Sequence, residues 1–196
     1  MTRWAPDPGS RLHVAALELF TEQGFTATTV PQIAERAGLT TRSFFRYYAD
    51  KREVLFVGEE ELPPVVARVV DESDPTLSPI EVIHTGLRAV VVPRLETYRH
   101  ELLTRRRIVQ TDEGLQEREL RKLAIIHAGA TEAFVRRGLG LLEAEIAGRL
   151  AVMVYDTMLE RWLTGDAKGD LAEILDEVVG VVAGSLESRP HNSASD

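Results

Sequence analysis

Thr28-Thr-Val-Pro-Gln-Ile-Ala-Glu-Arg-Ala-Gly38-Leu-Thr-Thr-Arg-Ser-Phe-Phe-Arg-Tyr-Tyr48 is the stretch whose reading decides the fold. Thr29 opens a capping box: its hydroxyl suits the third amide of the coming turn, Gln32 reaches back, and Pro31 sits in the tolerant first turn. The helix so started runs only to about Ala37, because Gly38 stops it. After Gly38-Leu39, Thr40 or Thr41 caps a third short helix that reaches Tyr48. Upstream, Leu12, Ala15, Ala16, Leu19 and Phe20 form one apolar stripe over residues 8–23, with Gly24 placed for a left-handed cap. Three short helices with a Gly-containing turn between the second and third follow the plan of a helix-turn-helix.

That plan divides the third helix into two faces. Phe44 and Tyr48 lie one turn apart and, with Leu39, can pack on Ile33, Ala34 and Phe20. Thr40, Thr41, Arg42, Ser43, Phe45, Arg46 and Tyr47 are left for the other faces. Such a set suits a DNA major groove, where guanidinium groups bind guanine edges, hydroxyls bond phosphates or bases, and an aromatic ring touches a thymine methyl. Out of this context, three or four aromatics in five residues would read as core, and Arg42 with Arg46 as a solvated face. A helix so short cannot bury Phe44, Phe45, Tyr47 and Tyr48 on one stripe.

The segments Ala16-Leu-Glu-Leu-Phe20, Gly24-Phe25, Thr28 to Ala34, Ala37-Gly-Leu39, Ser43 to Tyr48 and Lys51-Arg-Glu-Val-Leu55 together resemble the tetracycline-repressor (TetR) family of bacterial transcription regulators. The resemblance covers residues 10–56. It implies a core of Leu39, Phe44 and Tyr48, and double-stranded operator DNA as partner to Thr29, Thr40, Thr41, Arg42, Ser43, Phe45, Arg46 and Tyr47, with Lys51 on a phosphate. Arg42 stands where the family often has a small residue, Phe45 where it usually has tyrosine, and Tyr47 where it prefers histidine.

Charge follows the same division. The chain of 196 residues carries a net −8, which as an average argues against nucleic acid. Residues 1–55 hold seven Lys/Arg and six Asp/Glu, a net +1, so residues 56–196 carry the remaining −9. Four of the seven cations fall between Arg42 and Arg52, where a phosphate footprint is needed. The absence of cysteine excludes disulfide scaffolds, thiol nucleophiles and cysteine-ligated metal. No stretch approaches the roughly 18 apolar residues of a membrane span, and the N-terminus lacks a signal-peptide run, so a cytoplasmic protein with no membrane partner is expected.

Helical periodicity continues to the end without strand alternation, predicting an all-α protein of about nine helices. The expected organisation is a helix-turn-helix domain over 1–55, a larger helical effector-binding and dimerisation domain over 56–188, and a disordered tail over 189–196. The periodicity predicts a helix from near Lys51 interrupted at Pro63-Pro64, then helices over 79–97 with a kink at Pro93, 98–110, 115–137, 141–164 and 170–187.

One tri-helical head reads only half a site, so a homodimer is expected. Its interface is assigned to the broad stripes of the last two helices: Met153, Thr157 and Trp162 on one, Ile174, Val178, Val181 and Val182 on the other, with Gly180 and Gly184 allowing close approach. The alternative is that both stripes are core. His84, Arg88, Tyr98, His127, Phe134 and Tyr155 are candidate lining for a small-molecule pocket, each alternatively an ordinary core or surface residue. Residues 105–123 resemble the C-terminal domain of actinobacterial TetR regulators related to the mycofactocin-system regulator. That resemblance implies an effector of acyl-CoA type, with Arg105–Arg107 as phosphate partners; otherwise the three arginines are a solvated face balanced by Glu101 and Glu113. By the family's pattern the ligand would respace the two heads about a hinge at Lys51–Pro64 and release DNA, the behaviour of a repressor. No His-Glu-x-x-His, Gly-rich phosphate loop or Gly-x-Ser-x-Gly is present, so no enzyme, metal or cofactor is expected. A purely structural helical module is the remaining class.

Overall fold

Asp7 begins the first helix by accepting the amides of Gly9 and Ser10 at 2.9 and 3.2 Å, which satisfies two donors that the helix itself leaves open. The structure is a computed structural model describing residues 7–58, 61–165 and 168–187, and every regular element among them is helical. The helices are α1 (Pro8–Gln23), α2 (Val30–Arg36), α3 (Thr41–Tyr47), α4 (Leu62–Asp71), α5 (Pro79–Gly86), α6 (Val92–Thr97), α7 (Arg99–Val109), α8 (Glu113–Arg136), α9 (Leu141–Thr164) and α10 (Leu171–Glu187). None is long and apolar enough to cross a membrane. The tail expected over 189–196 lies outside the described residues.

The chain divides into two compact units, residues 1–61 with 100–122 and residues 62–99 with 123–196. The expected boundary after residue 55 falls inside the first of these units. Phe56, Ile108, Val109 and Leu115 share one core with Leu12, Ala16, Phe20, Ile33 and Phe44 of the first three helices, so α7 and the start of α8 belong to the N-terminal unit.

Within that unit α2 ends in a Schellman arrangement: Leu39 donates to Ala34 O at 2.8 Å and Gly38 to Glu35 O at 2.9 Å. Gly38 has φ +65°, the left-handed conformation this cap requires. The Arg11 guanidinium binds the Ala37 carbonyl, tying the exposed end of α2 to α1. The helix expected from Lys51 is not formed. Asp50 caps a short turn through the amides of Arg52 and Glu53, and only a 3-10 turn follows at Glu53–Phe56. Pro63 and Pro64 stand in the first turn of α4 and start a helix instead of breaking one, since first-turn amides have no intrahelical acceptor.

In the second unit, the helical run from Pro79 to Thr97 is continuous but changes pitch. Pro93 cannot donate to Ala89, and residues 87–91 widen into a π segment in which the Val92 amide reaches Leu87 O. α9 and α10 pack through Val154, Met158, Leu171, Ile174 and Leu175, all essentially fully buried. Gly148 lets α9 pass close to α8: a Cβ there would collide with Thr131 Oγ1. Arg137 closes the loop after α4, its guanidinium donating to the carbonyls of Val70, Ser73, Asp74 and Leu77 and to the Ser73 hydroxyl.

Candidate nucleic-acid interface

Phe44 faces entirely inward, its ring 5.5 Å from that of Tyr48, and this fixes which way α3 turns. Tyr48 seals the other end, donating its hydroxyl to Gly9 O at 3.0 Å; burial first, and then the charge of Asp7, push its pKa up. Thr40 is the cap, accepting the Ser43 amide at 3.1 Å, with its hydroxyl 3.0 Å from that of Ser43. Seven residues make under two turns. Once Phe44 is buried, what remains outward is Arg42, Phe45, Arg46 and Tyr47. Phe45 is 55% exposed, a large cost for a phenylalanine on a free surface. Arg46 lies over the Tyr47 ring, 4.9 Å from its centroid, and donates to the Tyr47 hydroxyl at 3.1 Å. Thr41 and Ser43 are half-buried beside this face. Thr29 is exposed at the start of α2, its amide and hydroxyl both donating to Gln32 Oε1 at 2.8 and 2.9 Å.

Lys51 departs from the phosphate role. Its Nζ donates to the carbonyls of Phe25, Thr26 and Thr28 at 2.7, 3.3 and 2.9 Å and sits 4.3 Å from the Phe25 ring centroid. Three carbonyls use all three ammonium protons. Burial lowers its pKa; the charge of Asp112 opposes that shift and Arg52 adds to it. Lys51 thus holds the α1–α2 turn. Arg36 is likewise occupied, bound to Glu22 at 2.9 and 2.7 Å and to Glu18 at 3.3 Å. On α3, by contrast, neither Arg42 nor Arg46 is paired with a carboxylate among the described residues, and Arg46 turns to the Tyr47 hydroxyl instead.

The six candidate pocket residues are not gathered at one site. His84 and Arg88 both bind Asp176 of α10, His84 Nε2 at 2.7 Å and Arg88 at 2.5 and 2.6 Å, on the surface of the second unit. Those hydrogen bonds, His84 before Arg88, hold the Asp176 pKa down. Tyr98 is exposed, Tyr155 half-buried and Phe134 wholly enclosed. His127 is the exception. Its Nε2 and the Thr131 hydroxyl one turn along α8 are both buried and have no hydrogen-bond partner among the described residues. Thr131 escaped the sequence reading, although its i, i+4 spacing from His127 and the Gly148 opposite them were available. Among the described residues, none of the six lines the apolar cavity of about 330 Å³ formed in this unit by Pro79, Leu139, Glu143, Ile146, Ala147 and Leu150.

Arg105 is not a free phosphate ligand either. It pairs with Glu119, donates to Leu55 O at 2.7 Å and stacks on Phe56. Lys122, almost fully buried, takes the other side of Glu119. Burial raises the Glu119 pKa, but the charges of Arg105 and Lys122 outweigh it and the net shift is downward.

The dimer assignments also split. Trp162, Ile174 and Val178 are buried within one protomer, with Arg99 stacked on Trp162, and have almost no surface left for a second copy. Met153 and Val181 are 42% and 64% exposed, Thr157 and Val182 are half-buried, and among the described residues nothing beyond its own helix backbone and chain neighbours lies within 4 Å of a Cβ placed on Gly180.

A three-helix core presenting a short helix with two arginines and two aromatics outward, behind a glycine turn, defines a helix-turn-helix DNA-binding module. Residues 12–56 match the family described as bacterial regulatory proteins, tetR family. The likeness to that family is carried by those residues. It is 34% identical over 76 residues to the HTH-type transcriptional regulator TcmR of Streptomyces glaucescens, a match covering 39% of this chain and 34% of that protein. The match thus spans about a third of TcmR's length. Identity is 29% over 184 residues with the putative mycofactocin biosynthesis transcriptional regulator MftR of Mycobacterium tuberculosis, covering 88% of this chain and 87% of MftR. Among solved structures, Thermus thermophilus FadR in complex with lauroyl-CoA superposes with a TM-score of 0.57 at 22% identity, covering 96% of this chain and 100% of FadR. That likeness is one of fold.

Proposed function

We propose that this chain is a ligand-responsive transcriptional regulator, a homodimeric repressor that leaves its operator when a small molecule binds, and that it has no catalytic role. The observation that carries the reading is the outward face of α3: Arg42, Phe45, Arg46 and Tyr47 stand exposed on a helix anchored by Phe44 and Tyr48. Arg42 reads a guanine edge, Phe45 a thymine methyl, and Arg46 with Tyr47 meets the backbone, while Thr29, Thr40, Thr41 and Ser43 supply hydroxyls at the margins. A second copy docks on Met153, Thr157, Val181 and Val182, supported by their exposure and by the open space at Gly180. The effector enters the second unit and gives His127 Nε2 and Thr131 Oγ1 the partners that the protein does not supply. An acyl-CoA is the class favoured by the FadR complex with lauroyl-CoA, whose fold this chain shares. The setting is the cytoplasm, where DNA is reached directly.

The test is DNA affinity measured with and without acyl-CoAs of increasing chain length, with free CoA as control. A released repressor loses about 5–150-fold in affinity, the ordinary coupling of about 1–3 kcal/mol. Equal affinity in the presence of a saturating, demonstrably bound acyl-CoA contradicts release.

A further inference from the structure

We propose that the groove between the α1–α2 turn and α7, wholly within the N-terminal unit, binds a small aromatic carboxylate that also carries a hydrogen-bond donor. The groove encloses about 650 Å³, within the roughly 300–1,000 Å³ typical of small-molecule sites. Its floor is apolar: the Phe20 and Phe25 rings lie 5.1 Å apart between centroids, with Ile108 beside them, and all three are buried.

The polar lining is unequal in a way that selects the ligand. Arg107 is exposed on the wall and pairs with no acceptor among the described residues. Its neighbour in sequence Arg105 is consumed by Glu119, so the groove's guanidinium is Arg107. Lys51 places a second positive charge 4.3 Å from the Phe25 ring centroid. The nearby carboxylates of Glu18 and Glu22 are held by Arg36. An anion is therefore favoured at the Arg107 end, and a planar carboxylate matches the guanidinium fork.

The hydroxyls point to the second group. Thr21, Thr104 and Thr111 each spend their proton on a main-chain carbonyl, of Leu17 at 2.8 Å, His100 at 3.1 Å and Ile108 at 2.7 Å. They offer lone pairs and no hydrogen. Gln23 spends its amide protons on Thr28 and Gln32. An aryl ring on the phenylalanines, a carboxylate on Arg107 and a hydroxyl or amine facing the threonines fill these requirements together.

The probe is 3-hydroxy-2-naphthoate, followed by its fluorescence on the full chain and by backbone amide NMR shifts, with 2-naphthol as the uncharged control. Expected are shifts confined to residues 20–27 and 104–111, at least tenfold weaker binding of the naphthoate to Arg107→Gln with the naphthol unchanged, and partial recovery in Arg107→Lys. Ala27→Trp, which fills the groove from an exposed position, blocks both probes. Undiminished naphthoate affinity in Arg107→Gln, or shifts confined to other residues, overturns the site. No DNA enters this experiment, so failure of operator binding leaves its outcome intact.

Discussion

Lys51 holds its charge against three carbonyl oxygens, and a sequence reading that assigns it to phosphate mistakes an internal clamp for an external contact. Replacing it with Met strands those acceptors in a partly buried turn, which costs about 1–3 kcal/mol. The expected outcome is a lowered melting temperature with the salt dependence of DNA binding unchanged in the folded variant. A salt slope reduced by about one unit would restore the phosphate role. Arg42 behaves oppositely: Arg42→Ala leaves the fold alone, because the side chain is exposed, and relaxes discrimination at one base pair by about 1–3 kcal/mol, read by competition among single-site operator variants. Both residues are basic and fall in the same cluster. What separates them is whether the side chain finds partners more than twenty positions away, which local spacing cannot show.

At the scale of elements, the caps carry the N-terminal unit. Gly38→Ala forces a Cβ into a left-handed backbone and costs about 1–2 kcal/mol, measurable by denaturant unfolding. α7 and α8 hold the same unit through Glu119. Its pKa is depressed in the folded state, so the stabilisation is present above the unfolded carboxylate range and is lost as pH falls through the folded value. Glu119→Gln leaves Arg105 and Lys122 facing each other, destabilises by about 3 kcal/mol at neutral pH, and removes this part of the acid dependence. Capping signals such as Thr29, Thr40 and Gly38, and stripes such as Leu12 to Phe20, were legible because their partners lie within a turn or two. The Lys51 helix was misread because Pro63-Pro64 has two meanings, stop or start, and only the Asp50 cap and the 3-10 turn decide between them. Arg137 was illegible for the reason that hid the Lys51 clamp, and Glu119 because its partner Arg105 lies 14 positions away on another helix.

For the whole molecule, the proposed dimer needs an apolar face that the chain's own core leaves uncovered. The outer faces of α9 and α10 leave Met153 and Val181 uncovered in a chain of 21.8 kDa, while Trp162, Ile174 and Val178 are spent on the protomer's own core. The breadth of an apolar stripe does not by itself separate the residues that enter the core from those left outward. Val181→Asp places a charge at that face without touching the protomer core. Sedimentation should then give the chain mass instead of twice it, with helical content retained and operator affinity sharply reduced; a dimer that survives Val181→Asp together with Met153→Asp would remove α9 and α10 from the interface.

The proposed reading of DNA sequence by α3 can be tested directly. Its most direct measurement is selection of bound duplexes from a random pool by the full chain, repeated with Arg42→Ala. Expected are enrichment of a two-fold symmetric site, binding that weakens steeply with salt, and loss of preference at one symmetric pair of positions in the variant. A pool left without sequence enrichment, or an enriched site identical in every position for Arg42→Ala, would contradict it.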